Sequence, residues 1–86
     1  MEQFKAVVDV TLRKSILDVQ GKTVEHALHS TGFNSISDMH IGKHFIMTIL
    51  ANSKDEAHTI AEDATKKLLC NQIMEDYSIQ IFAGTE

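Results

Sequence analysis

The feature that most constrains the fold is a switch in hydrophobic period near residue 18. Residues 3–12 alternate between apolar and polar side chains, which is typical of a half-buried strand. Residues 20–31 instead carry apolar side chains at helical spacing, which predicts an amphipathic helix. Asp18 has the short carboxylate that caps a helix start, and Gly32 stands where a left-handed residue would end the helix. The chain is therefore predicted to begin with a strand and a helix.

Two further strands are predicted around a tight turn. Residues 35–41 and residues 44–51 are each predicted to be a strand. Gly42 and Lys43 stand between them, and glycine accepts the positive φ that a short hairpin turn requires. The pattern therefore predicts a β-hairpin in the middle of the chain.

The second half of the chain predicts another helix and a last strand. Ser53 and Glu56 form the pattern of a capping box, which marks the start of the helix. Residues 77–82 predict the last strand. The buried stripe of the helix is predicted to consist of Ala57, Ile60, Ala61, Ala64 and Leu68.

The element order predicts one α+β domain over residues 1–86. Strand, helix, strand, strand, helix, strand is the ferredoxin-like βαββαβ arrangement, a four-stranded antiparallel sheet with both helices on one face. The strand at 44–51 is apolar on both of its faces, so the face away from the helices is predicted to mediate homodimerisation. The alternative is that a central strand is simply more apolar than its neighbours. The candidates on that face are Val7, Ile46, Leu50 and Phe82.

Composition narrows the class of protein. A net charge of -4 and a pI near 5.6 argue against nucleic-acid binding, which requires a cationic surface. No apolar run approaches the roughly 20 residues that span a bilayer. Cys70 is the single cysteine, so no disulfide forms within the chain. We expect a cytoplasmic protein with no membrane or nucleic-acid partner.

No residue constellation predicts catalysis or metal binding. His26 and His29 lie three residues apart on the first helix, and His40 and His44 flank the predicted turn, but a zinc site needs three or four ligands. The glycine and lysine at the turn lack the rest of a phosphate-binding loop. Cys70 has no neighbour in sequence that would activate its thiol. No catalytic, cofactor-binding or metal-ligating residue is therefore assigned.

An ordered set of motifs resembles one known family, PurS, and the resemblance spans essentially the whole chain. PurS is the small subunit of the multi-subunit formylglycinamide ribonucleotide amidotransferase of purine biosynthesis. The motifs are Leu17-Asp18, Gln20-Gly21-Lys22, Val24-Glu25, Ala27-Leu28, Gly32-Phe33, Asp38, Gly42-Lys43, Lys67-Leu68-Leu69, Asn71 and Glu75-Asp76-Tyr77.

The resemblance implies a subunit that has no active site of its own. In the family's complex, a PurQ-type glutaminase subunit releases ammonia. A PurL-type synthetase subunit uses ATP and magnesium to convert formylglycinamide ribonucleotide into formylglycinamidine ribonucleotide. PurS bridges these subunits and supports the transfer of ammonia, and it forms dimers or tetramers. The chain is thus expected to bind no cofactor itself.

The resemblance also supplies candidates for contacts with the larger subunits. Each of these residues is alternatively a helix cap or a turn residue. They are Asp18, Gln20, Gly21, Gly42, Lys43, Asn71, Glu75, Asp76 and Tyr77.

One departure from the family and two rival functions remain. The family usually has prolines near residues 14, 19 and 72, whereas this chain has no proline, which puts the rigidity of two loops in doubt. An ACT-like domain that binds a small regulatory ligand would share the element order. An acylphosphatase-like hydrolase is disfavoured because Arg13, the sole arginine, has no glycine-rich loop beside it.

Overall fold

The computed structural model describes residues 1–84, which form an α+β fold with a three-stranded antiparallel sheet. The strand order is β2-β1-β3, so β1 is central. The strands are β1 (Glu2–Leu12), β2 (Gly42–Ala51) and β3 (Glu75–Ala83). The helices are α1 (Val19–Ser30) and α2 (Lys54–Ala64), and a π-helical turn, Thr65–Leu69, continues α2.

The strand predicted at 35–41 and the hairpin turn predicted after it are wrong. Residues 36–41, called the strap below, bend at Asp38, whose φ is +55°, and then lead into β2; no ladder pairs them in the described part of the chain. Gly42 is the first residue of β2 rather than a turn residue. A Cβ there would lie 2.7 Å from the carbonyl oxygen of Val10, so glycine serves close approach to β1. The described sheet consequently has three strands instead of four.

Helix α1 has nearly its predicted bounds but not its predicted position. Asp18 caps its start, and Gly32 follows its end with a φ of +103°. The helix has only marginal contact with any strand, whereas α2 packs on all three. It lies against the strap, and the two form an arm in a molecule of 52 × 29 × 14 Å. The prediction that both helices cover one face of the sheet is therefore wrong.

The core lies between the sheet and α2. Ala57 and Ala61 are fully buried, and their small side chains let the helix approach the strands closely. A second cluster extends this core under Cys70, which follows the π turn. The strands contribute Phe4, Ala6, Val8, Val10, Ile49, Ala51 and Ile81.

The π turn changes which side chains of the second helical segment are buried. Thr65 is fully buried, and its hydroxyl donates to the Ala61 carbonyl at 2.7 Å. The buried stripe is therefore Ala57, Ala61 and Thr65, and the wider turn then directs Cys70 inward. Three members of the predicted stripe are wrong because they are exposed. These are Ile60, Ala64 and Leu68, the last at 87%.

The opposite face of the sheet carries the four apolar residues predicted there. Val7 pairs directly with Ile46, Gln3 with Leu50, and Lys5 with Phe82, so all of these point away from α2. Ile46, Leu50 and Phe82 are 63%, 56% and 47% exposed. The four residues define the open sheet face, whose part in self-association stays a prediction.

Candidate functional site

Asp18 joins α1, the strap and the edge of the sheet. Its side chain is buried, and its Oδ1 accepts from the backbone N–H of Gly21 at 2.8 Å, which caps the helix. Its Oδ2 accepts from the N–H of Ile41 at 2.8 Å, which fixes the strap beside the helix. These hydrogen bonds, first from Ile41 and then from Gly21, lower the pKa of the carboxyl group below its usual value.

Two more side chains of α1 bind the backbone of the strap. Glu25 accepts from the N–H of Met39 at 3.1 Å, and His29 Nε2 donates to the carbonyl of Ile36 at 2.6 Å. With Asp18, they satisfy backbone groups that a neighbouring strand would otherwise satisfy. This is the physical reason that the strap keeps its place beside α1 without belonging to the sheet.

Lys43 and Glu75 form the facing side of the site. The Lys43 ammonium lies 3.5 Å from Glu75 Oε2 and also donates to the Leu69 carbonyl at 3.4 Å. Glu75 Oε1 accepts from the N–H of Asn71 at 2.7 Å, and the Asn71 side chain in turn accepts from the N–H of Ile73 at 3.0 Å. The carboxylate thus links the start of β2 to the loop before β3.

A cleft of about 350 Å³ separates the arm from this end of the sheet, and we call it the sheet-end cleft. Its apolar lining comes from strand ends and from the residues around the helix cap. Five of the nine predicted contact residues line it, namely Asp18, Gln20, Gly42, Lys43 and Glu75.

The other four predicted residues lie outside the lining. Gly21 lies beneath it, where a Cβ would come within 2.6 Å of the Met39 carbonyl oxygen. Asn71 adjoins it through Glu75. Asp76 pairs with Arg13 at 3.3 Å, and the Tyr77 hydroxyl donates to Glu62 at 2.8 Å, which raises the pKa of Tyr77.

Sequence reasoning overlooked two exposed cleft residues and one cross-link. Leu17 and Val19 line the cleft and are exposed; Leu17 belongs to the motif that contains Asp18, whereas Val19 stands where the family usually has proline. Large aliphatic residues beside a helix cap were the available signal. Arg13 donates to the Gln72 carbonyl at 2.5 Å and ties the loop after β1 to the loop before β3. No local sequence pattern predicts a contact between residues that are so far apart in the chain.

The described residues contain little that resembles a reaction centre. Burial raises the pKa of the Cys70 thiol, and the nearby Glu75 carboxylate adds to the shift, so the thiol is a poor nucleophile. Among residues 1–84, no three His, Cys, Asp or Glu side chains come together as a metal site would require. Across the same residues, no helix is both long and apolar enough to cross a membrane.

Comparison with known proteins identifies the family. The family model described as "PurS: Phosphoribosylformylglycinamidine (FGAM) synthase" matches residues 5–83. The chain belongs to the PurS family. The curated PurS subunit of phosphoribosylformylglycinamidine synthase from Bacillus subtilis is 38% identical over 78 residues, which are 91% of this chain and 92% of that one.

Solved PurS structures agree with the fold. A chain in the structure of PurLQS from Thermotoga maritima has a TM-score of 0.88 and 28% identity, and covers 95% of this chain and 100% of its own. PurS from Methanocaldococcus jannaschii has a TM-score of 0.85 and 29% identity, covering 95% of this chain and 99% of its own. The family assignment decides against the ACT-like alternative.

Proposed function

We propose that this chain is the PurS subunit of phosphoribosylformylglycinamidine synthase and that it acts through shape, without supplying a reacting group. Its membership of the PurS family makes it a subunit of this purine-biosynthesis enzyme. Residues 1–86 act as one domain, in the cytoplasm. The reaction is the conversion of formylglycinamide ribonucleotide, ATP and glutamine to formylglycinamidine ribonucleotide, with ATP and magnesium bound by the larger subunits.

The partners are a PurL-type synthetase and a PurQ-type glutaminase, and the chain bridges them. The Thermotoga maritima relative comes from a structure of PurLQS, a name that joins the three subunits. A bridging subunit keeps two active sites in register, so ammonia passes between them without dilution and protonation in water. Such a role requires fixed surfaces rather than a nucleophile or a metal.

The sheet-end cleft is the observation that carries this proposal. It brings together five predicted contact residues from the arm, β2 and β3. Their backbone hydrogen bonds and ion pair hold the lining of the cleft in one arrangement, which lowers the entropy lost when a partner docks. Leu17 and Val19 add exposed apolar surface beside Lys43, and apolar contacts bordered by a charge are typical of subunit interfaces.

Reconstitution tests the bridging role. Purified synthetase and glutaminase subunits are mixed with and without the chain, and glutamine-dependent turnover is measured together with co-elution. We expect turnover only when the chain is present. Lys43→Glu should weaken assembly about tenfold, because it reverses a charge in the cleft. Lys67→Glu, an exposed lysine outside the cleft, is the matched control. Equal turnover without the chain would refute the role.

The open sheet face supports self-association into a homodimer or tetramer. Ile46, Leu50 and Phe82 expose apolar surface on the face that also carries the buried Val7, and burial of apolar area is the main driving force of association. Ile46→Asp should lower the mass measured by sedimentation. Ile73→Asp, which changes an even more exposed isoleucine outside the sheet, should leave the mass unchanged.

The fourth strand of the ferredoxin-like arrangement comes from a second copy. Residues 39–41 of the strap continue into β2 without a turn, so they cannot fold back beside their own β2, whose outer edge has no partner within residues 1–84. When two copies pack with their strap–β2 segments antiparallel, each strap lies beside β2 of the other copy. The α2 residues Ile60, Ala64 and Leu68 are exposed in the single chain, so they are available to α1 of the second copy. A hinge without a turn is the usual cause of such an exchange.

Lengthening the hinge tests the exchange. An Asn-Gly pair inserted between Ile41 and Gly42 allows the strap to turn back onto its own chain. We expect the mass measured by sedimentation to fall while the helix content stays unchanged. An Asn-Gly insertion after Gly32, beyond the end of α1, is the control. An unchanged mass in the hinge variant would rule out exchange.

A further inference from the structure

The outer edge of β3 lacks the features that normally protect an edge strand. Within residues 1–84, β3 pairs with β1 alone, so one row of its backbone groups faces outward. Residues 77–83 contain no charge and no proline, and they alternate aliphatic and aromatic side chains with small polar ones. Natural proteins protect such edges with lysine, proline, bulges or short strands. An edge of this length and composition is suited to pairing with another strand.

A groove runs beside this edge. It has a volume of about 440 Å³ and lies between β3 and the first turns of α2. Ile79 and Ile81 form the strand side, Phe82 borders the groove from the opposite face of the sheet, and Lys54 and His58 form part of the helix side. Asp55 lies next to Lys54, so the helix side carries one acidic and one basic residue. The groove therefore favours a segment without net charge.

We propose that an extended, apolar segment of a larger partner subunit adds to the outer edge of β3 as a further strand. The proposal rests on the proposed function, because it requires a partner subunit. Main-chain hydrogen bonds to β3 hold the segment, and alternate side chains of the segment enter the groove beside α2 or contact Phe82. The sheet then continues into the partner.

Symmetry favours a different protein over a second copy. In an assembly of two copies that exchange arms, each copy keeps one free β3 edge. If these edges paired with β3 of further copies in a straight array, every addition would leave another free edge, and only a ring of copies would close. A segment of another protein ends the sheet at once. The neutral groove also accommodates such a segment without leaving a buried charge unpaired.

Amide hydrogen exchange in the reconstituted complex provides the direct test. Strand addition protects the outward N–H groups, which belong to every second residue of β3, and leaves the N–H groups already bonded to β1 unchanged. We expect the fast-exchanging amides of residues 76–83 to slow by about tenfold or more in the complex with the synthetase and glutaminase subunits. Equal exchange in the assembled complex and the free chain would overturn the proposal but not the proposed function.

A proline variant gives an independent readout. Proline replaces whichever of Ile79 and Gln80 has the fast amide in the free chain, since β1 does not need that N–H. Alanine at the same position is the matched control, because it keeps the N–H. We expect the proline variant to bind the partner subunits about tenfold more weakly than the alanine variant. Equal binding would overturn the proposal.

Two other outcomes also decide the matter. If the β3 amides of the isolated chain slow as its concentration rises, while its mass exceeds that of a dimer, the occupant is a second copy and the proposal is wrong. If no complex forms with either larger subunit, both the proposal and the proposed function fail.

Discussion

The two helices of this chain are similar in length and both follow a capping residue, yet they have opposite roles. Helix α2 places Ala57 and Ala61 on the sheet, and both are fully buried. Helix α1 buries only Gly21 and Glu25, and its contacts are hydrogen bonds to the strap. The α2 region is held by packing, whereas the arm is held mainly by polar groups and depends on its surroundings. An amphipathic stripe therefore predicts a helix but does not identify the surface that covers it.

The largest expected effect comes from enlarging a side chain between α2 and the sheet. Ala61→Leu adds volume where none is available and should reduce the free energy of unfolding by about 1–3 kcal/mol. Thr23→Leu makes a comparable change on the exposed side of α1 and should alter it by no more than about 0.5 kcal/mol. Urea denaturation measures both. Similar losses would show that the two helices are equally packed.

A smaller and local effect is expected where α1 meets the strap. Gly21→Ala places a Cβ within 2.6 Å of the Met39 carbonyl oxygen, so the helix and the strap must separate. Amide exchange in α1 should become about tenfold faster, while that of β1 stays unchanged. Gln20→Ala, at the neighbouring exposed position, serves as the control. Unchanged exchange in α1 would mean that the arm tolerates the extra methyl group.

A smaller loss of thermal stability is expected when the carboxylate of Asp18, which holds the arm together, is removed. Asp18→Ala removes the helix cap and the acceptor for the Ile41 N–H together, and we expect Tm to fall by about 4 °C. Asp63→Ala removes an exposed carboxylate from α2 and should leave Tm within about 1 °C. Calorimetry distinguishes the two. An equal fall in Tm for both variants would mean that the hydrogen bonds of Asp18 do not stabilise the arm.

The smallest expected effect is the pH dependence of the stability that Asp18 contributes. The pKa of Asp18 is lower in the folded chain than its ordinary value of 3.8, so its contribution is complete above that pH. The contribution is lost as the pH falls through the folded pKa. The stability difference between the wild type and Asp18→Asn should therefore narrow below about pH 4. A difference that stays constant down to pH 2 would contradict this assignment.

Local patterns predicted the elements whose interactions are local. The alternation in β1 and β3, the Asp18 cap and the Ser53 cap are visible in sequence, and the last accepts from the Glu56 N–H at 3.1 Å. The strap failed as a strand because its hydrogen-bond partners are side chains of α1, which no period of the strap itself encodes. Leu68 failed as a core residue because a π turn changes the register after Thr65.

The candidate site was predictable only in part, for a similar reason. Motifs identified Asp18, Lys43 and Glu75, which line one cleft in the structure. The order of the motifs, however, does not show in which direction each side chain points. Tyr77 belongs to the same motif as Glu75, yet its hydroxyl binds Glu62 under α2. Asp76 lies between them and pairs with Arg13 on the other side of the strand, because neighbouring side chains alternate along a strand.

The molecule is thin, with a smallest extent of 14 Å. Among its larger side chains, Val8, Val10 and Thr65 are the ones enclosed completely. Such an interior is a single layer, and most of the remaining side chains touch solvent or whatever lies next to the chain. Neighbouring molecules therefore determine which substitutions these outward positions tolerate. The partners of the chain limit its sequence divergence more than its small interior does.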